Sequence, residues 1–268
     1  SVNEALPWSV ELIDQFADRW DWSALSQNEA LPWSIELIER FSDRWYWSAL
    51  SENEALPWSV QLIERYESRW NWKYGGLSGN KALPWSAELI QRHEDQWDWG
   101  YLSQNESLHW SPELIERYKR RWTWRYPELI STGGRLTTGL SANDGLPWSF
   151  SLLEQYQKRW YWPHLSARGG MPWSFELIEH YEDRWDWRAL SQNESLPWSI
   201  ELIKRFNGRW HWYELSKSKA LPWSAELMER FADCWDWSAL SENETLPWSI
   251  HLIERFENRW DWGSLSEN

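Results

Sequence analysis

The residues of this chain best equipped to act on another molecule are aromatic: 30 tryptophans and 10 tyrosines, with 6 histidines beside them. Indole and phenol faces stack on sugar rings, proline-rich peptides and cations, so their chemistry is recognition rather than bond-making. Tyrosine and histidine gather at a few variable places, as Tyr46, Tyr74, Tyr101, Tyr126, Tyr161, His164, His211 and Tyr213. Tyrosine and arginine dominate the energetics of protein interfaces. Tyr74, Tyr101, His164 and Tyr213 are therefore candidate partner-binding residues, joined by Arg125, Tyr126 and Arg135 of one long insert. Ordinary surface variation is the competing reading of the same positions.

Catalytic chemistry has no comparable foothold. His93, His109, His164, His180, His211 and His251 are scattered over unrelated places, which argues against a metal cluster. Cys234 is the only cysteine, so an internal disulfide and a cysteine metal site are both excluded. The pattern holds no Ser/His/Asp set and no glycine loop that would cradle phosphate. The expectation is a protein that is not an enzyme and uses no cofactor and no metal.

What positions the aromatics is a repeat. Every tryptophan falls in the frame Trp-x11-Trp-x-Trp, ten times over, and internal periodicity of this kind signals a solenoid or array. The first members are Trp8, Trp33, Trp58, Trp85, Trp110, Trp148, Trp173, Trp198, Trp223 and Trp248. They head repeats 1 to 10 of a single array over residues 1–268. The step is 25 residues except for 27 after Trp58 and 38 after Trp110. Both longer steps arise at one point: "WSAL" (22–25) becomes "WKYGGL" (72–77) and "WRYPELISTGGRLTTGL" (124–140). Insertions confined to one point mark a loop corner. The insert Arg125–Gly139 is a candidate recognition loop, since long loops on rigid frames often carry binding. A neutral insertion, cheap in loop entropy, is the alternative.

Within a repeat, Ser9 precedes Leu12, Ile13, Phe16 and Trp20 at helical spacing, which predicts one main helix from about Val10 to Trp20. Ser9 is placed as its N-cap, Glu11 suits the helix dipole, and Trp8 with Ile13 would form a hydrophobic staple. Repeat 5 tests the register, because Pro112 in "WSPEL" would fall at N1, where proline is welcome. The second half, "DWSALSQN" (21–28), fits a single helical or 3₁₀ turn, with Pro163 directly after Trp162 in repeat 6. A β-strand is the alternative, and the W-x-W-x-x-L spacing breaks its period of two. Only three valines occur, Val2, Val10 and Val60, which also disfavours a sheet. The fold class expected is an all-α tandem-repeat solenoid of ten units, each one α-helix plus a short helical or 3₁₀ turn.

A lone repeat buries too little to fold, so its tryptophans must pack against neighbouring repeats. An exposed tryptophan ladder binding sugars or proline-rich peptides is the competing reading. Arginine recurs at the Arg19 position in eight repeats and at the Arg40 position in seven. Glu36 and Arg40 stand in the favoured i,i+4 order, and Arg44 is placed to cover a neighbouring tryptophan face. These features predict a solvated, salt-laced helix face. Ser26 and Asn28 read as a turn motif or as a ladder between coils.

The formal charge of -14 disfavours nucleic acid and suits a basic protein partner. No apolar run approaches the ~18 residues of a membrane span. The core W-D-W-x-x-L-S-x-N, "WDWSALSQN" at 20–28 and "WDWRALSQN" at 185–193, resembles tandem Trp-rich repeats of bacterial and giant-virus proteins. The resemblance covers all ten repeats and implies variable repeat number and inserts, with no activity and no functional residue carried over. The chain starts "SVNEALPW" and stops at "LSEN", in phase and without polar capping repeats. That is expected of a piece of a longer array, or of copies stacking end to end. Together these features predict a non-enzymatic scaffold for protein–protein interaction. The alternatives are a structural filament or surface-fibre subunit and, more weakly, glycan binding by exposed aromatics.

Overall fold

The computed structural model describes residues 6–124 and 139–267, which form helices and turns, with no strand among them. The chain packs as two compact units, Ser1–Pro147 and Trp148–Asn268. Repeats 1–5 fall in the first and repeats 6–10 in the second. Within each unit the repeats stack as an all-α tandem-repeat solenoid. No helix among the described residues is long and apolar enough to cross a membrane.

Each repeat opens on a helix started by serine. The Ser9 hydroxyl accepts from the Leu12 N–H at 3.2 Å, and the equivalent serine caps the first helix of every repeat, down to Ser249 with Leu252. Pro112 takes N1 in repeat 5. The helix is shorter than its apolar spacing predicts: it runs Val10–Gln15, and Phe16 leaves helical geometry at φ -116°, ψ 25°. The indoles explain the early stop. A helix end leaves carbonyls without backbone partners. Here Trp20 Nε1 donates to the Ile13 carbonyl at 3.1 Å and Trp22 Nε1 to that of Ala17 at 2.9 Å. With those acceptors filled by side chains, the chain can turn at residues 16–20 and bring two tryptophans back over their own helix.

The second half forms the short helix Trp22–Ser26. Its counterparts are α-helical in every repeat but the fifth, where Leu140–Ala142 is a 3₁₀ turn. In each unit these second helices pack on one another in sequence. The two inserts close on the same bonds as the uninterrupted corner. Leu25 N–H meets the Asp21 carbonyl at 2.9 Å, and Leu77 and Leu140 meet those of Asn71 and Thr123 at 2.8 Å. Ser26, Ser78 and Ser141 then donate to the carbonyls of Trp22, Trp72 and Trp124. Both inserts end in glycine because the returning backbone crosses a carbonyl: a Cβ on Gly76 or Gly139 would run into Asn71 O or Thr123 O.

The core is a relay of aromatic rings. Trp22 meets Phe41 at 5.0 Å and Trp45 edge-on at 4.8 Å, and Trp45 meets its own repeat's Trp33 at 5.0 Å. In the second unit Trp162 meets Tyr181 and Trp185, and Trp185 meets Trp173. Edge-to-face and tilted pairs at this range add to plain burial. The first tryptophan also donates, as Trp33 Nε1 does to the Asn28 carbonyl at 2.9 Å. All three indole N–H groups of a repeat therefore have acceptors, and the tryptophans pack within and between repeats rather than forming an exposed ladder. His93 replaces the aromatic residue of repeat 4 and is buried at the same place, 4.8 Å from Trp72.

A polar seam runs beside the rings. Ser26 Oγ accepts from the Tyr46 N–H of the next repeat at 2.9 Å, and Asn53 Nδ2 reaches back to the Ser26 carbonyl at 3.0 Å. The reading of Ser26 and Asn28 as a ladder between coils holds. The expected i,i+4 pairing of the arginines does not. Arg40, Arg65 and Arg92 pair with Asp14, Glu39 and Glu64 of the preceding repeat, and Arg205 and Arg255 with Glu179 and Glu229. The stacking register places an acid one repeat back nearer than the one on the same helix. Among the described residues only Arg230 keeps an i,i+4 partner, Glu226 at 3.9 Å, because Lys204 stands where the preceding acid would be.

A second arginine completes several of the interfaces. Arg44 donates to the Ala17 carbonyl at 2.9 Å and to Asp18 at 2.7 Å, with its guanidinium 5.8 Å from the Trp22 ring centroid. Arg69, Arg121 and Arg259 repeat the arrangement over Trp47, Trp99 and Trp237. Covering of the tryptophan face by Arg44 is thus as the sequence predicts.

Candidate binding face

The two-residue insert of repeat 3 makes the most sharply formed surface feature. In "WKYGGL" Tyr74 adopts φ 50° and Gly75 φ 90°, which lets the chain double back into the short helix Gly76–Gly79. Glycine takes left-handed backbone freely; tyrosine does so against its steric preference. The Tyr74 side chain is thereby held outside the packed frame, 81% exposed. From repeat 4, the Tyr101 ring lies over the backbone of Gly75 and Gly79. Helix Trp99–Leu102 presents that ring, capped by Asp98, which accepts from the Gly100 and Tyr101 N–H groups.

Between the two tyrosines lies a groove of about 420 Å³, lined also by Glu52, Glu54, Lys81 and Gln104. Lys73 turns the other way and donates from Nζ to the Trp97 carbonyl at 2.9 Å, bracing the insert. Two phenols and two carboxylates against one ammonium make the groove aromatic and net acidic. Such a surface suits a cationic or amide-bearing group.

The remaining expected residues stand apart from this groove. Tyr213 is exposed on helix Trp212–Lys217 of the second unit, with Lys217 Nζ 5.2 Å from its ring. His164 is half-buried on helix Trp162–Ser166, its ring 5.0 Å from Tyr161. Burial, then the nearby Arg168, hold its imidazole below the ordinary 6.5, so it favours the neutral form. The helix Trp187–Gln192 of repeat 7 comes between the helices of His164 and Tyr213 in the chain. Arg125, Tyr126 and Arg135 lie outside the described residues. The structure therefore brings Tyr74 and Tyr101 together and leaves His164 and Tyr213 elsewhere.

No family model, curated protein or solved structure matches this chain. The site must speak through its own chemistry. Sequence reading missed Glu52, Glu54, Lys81 and Gln104, which carry no aromatic signal of their own. The available signal was the repeat itself: residues one period before and after an insert become its neighbours once the repeats stack.

Proposed function

We propose that this protein is a non-enzymatic repeat scaffold that binds another protein, and that the groove of Tyr74 and Tyr101 receives a basic side chain of that partner. The observation that carries the reading is the backbone of Tyr74. A non-glycine residue at positive φ costs on the order of 1–2 kcal/mol, and here the exposed ring gains little packing in return. Strain without local benefit marks a residue held for contact with something else. Glu52 and Glu54 favour a cation there, and the charge of -14 favours a basic partner overall. The W-D-W-x-x-L-S-x-N core supports placing the chain among tandem Trp-rich arrays, whose inserts would then distinguish one member's partner from another's.

Calorimetric titration with a tetra-arginine peptide, a tetra-glutamate peptide and a cello-oligosaccharide tests the reading. Binding of the arginine peptide alone, weakened in Tyr74→Ala and in Glu52→Gln/Glu54→Gln, is the expected result. Saccharide binding lost in Tyr74→Ala would instead favour glycan recognition.

A further inference from the structure

A second surface, independent of the tyrosine groove, breaks the charge balance of the stack. Along the first unit, each arginine at the Arg40 position faces an acid of the preceding repeat until repeat 5, where Arg117 NH1 meets the neutral Gln91 Oε1 at 3.1 Å. Three residues on, Arg120 stands where repeats 1, 2 and 4 carry Asp18, Asp43 and Asp95. One carboxylate is thus missing opposite Arg117, and another is replaced by a cation. Arg121 keeps the usual clamp, with Asp95 at 2.9 Å, the Glu94 carbonyl at 2.8 Å and the Trp99 face.

Tyr118 lies among these cations. It is 6% exposed, and its hydroxyl finds no acceptor, since its one close polar neighbour, the Arg117 guanidinium, can only donate. At the same place in repeat 7, Tyr181 Oη donates to Glu154 at 2.5 Å. The residue corresponding to Glu154 in repeat 4 is Gln91, already engaged by Arg117. Burial, then the charge of Glu94, hold the Tyr118 phenol above its ordinary 10.0, so it stays a donor. A buried hydroxyl without an acceptor is costly unless something supplies one. The surface here is a depression of about 480 Å³ lined by Gln91, Glu94, Arg117, Tyr118, Lys119, Arg120 and Arg121. Glu94 is the single carboxylate in that lining, 3.6 Å from Arg121.

We propose that this depression binds an oxyanion of the phosphate type, with Arg117 and Arg120 supplying charge and guanidinium N–H donors and Tyr118 donating its hydroxyl. Guanidinium groups match tetrahedral oxyanions by paired N–H donors. The volume admits a phosphate with the group that carries it, so the free ion and a phosphorylated side chain share one chemistry.

The test uses the full chain, titrated with inorganic phosphate and with O-phosphoserine at constant ionic strength set by chloride. Phosphate-specific binding is expected, weakened about tenfold or more in Arg120→Asp and in Arg117→Gln, the loss of one charge-assisted contact. Arg120→Asp restores the residue of the regular frame, so the fold is retained and circular dichroism checks it. Arg69→Gln, at a fully paired clamp, should leave binding unchanged. Equal affinity for both probes points to the free ion, and tighter binding of O-phosphoserine to a carried phosphate; either supports the site. No binding beyond the chloride control, or wild-type affinity in Arg120→Asp, would overturn the proposal.

Discussion

The carboxamide of Asn53 donates to the carbonyl of Ser26, 3.0 Å away and 27 residues earlier in the chain. The same Nδ2 reaches Asn28 O at 3.4 Å, while Oδ1 accepts from Ala55 N–H at 2.9 Å. One buried side chain thus fastens a repeat to its predecessor and shapes its own turn. Asn53→Ala should destabilise by about 2–3 kcal/mol, since buried backbone groups lose their partners. Ser218 occupies this place in repeat 8, and its hydroxyl accepts from Ala220 N–H within its own turn without reaching back to the preceding repeat. Ser218→Asn should therefore stabilise by about 1 kcal/mol. Urea unfolding followed by tryptophan fluorescence measures both, and equal midpoints for wild type and Asn53→Ala would refute the seam.

Trp185 sits where three packing surfaces meet: Trp173, Trp162 of the preceding repeat, and Tyr181. Its Nε1 donates to Ile178 O at 3.1 Å. Trp185→Ala should cost about 3–5 kcal/mol. An unchanged thermal midpoint would show that the ring is not part of the core.

Tyr46 heads the second helix of repeat 2 without a side-chain cap, whereas Asp21 in repeat 1 accepts from Ser23 and Ala24 N–H groups. Tyr46 is largely exposed, so little packing is lost on replacing it. Tyr46→Asp should stabilise by about 0.5–2 kcal/mol. A lower melting temperature would mean that the tyrosine contributes packing the cap does not replace.

How much of this was legible in the sequence depends on which contacts repeat. Serine caps, the second short helix, the tryptophan core and the insertion corner each recur in register, so one period predicts them all. The length of the first helix was not legible, because indole N–H groups end it and hydropathy does not register a donor. Pairing of Arg40 with Asp14 was hidden for another reason: Glu36 lies at an equally good spacing, and only the stacking register decides between them. The charge of -14 concealed the Arg117–Arg121 cluster, since a total averages over the patch that departs from it. Nothing in the spacing said that Tyr74 and Tyr101 would line one groove while Tyr213 would not, because that follows from the backbone of a two-residue insert.

Gly208 and Cys234 depart from the frame together, at the two places where Asp183 and Arg209 form an ion pair at 2.7 Å. A Cβ on Gly208 meets nothing within 4 Å. The double variant Gly208→Asp/Cys234→Arg should rebuild the clamp over Trp212, with a favourable coupling of about 0.5–1 kcal/mol in a double-mutant cycle. Molar salt should shrink it. Zero coupling at low salt would mean that the arginines elsewhere are decoration on a stack held by rings alone.

Glu11, Glu36, Glu88, Glu113 and Glu176 are held below the ordinary 4.5 by their own backbone N–H groups first, then by the N-cap serines. Carboxylates lowered in the folded state stabilise it above their unfolded value, and the effect is lost as pH falls through the folded value. Thermal stability should therefore hold above pH 4.5 and decline on further acidification. Glu36→Gln/Glu176→Gln should make that decline shallower, as read from melting temperature against pH. An unchanged acid limb would remove these residues from its cause.

The corner that ends at Leu25, Leu77 or Leu140 closes on the same two bonds whatever has been inserted before it. A guest segment there meets a clasp already made, and each doubling of its length adds only about 0.6 kcal/mol of closure entropy. Every repeat owns such a clasp, so recognition sequences can be swapped in like cassettes, provided a glycine precedes the leucine. An array built this way can change what it displays without redesigning what holds it up.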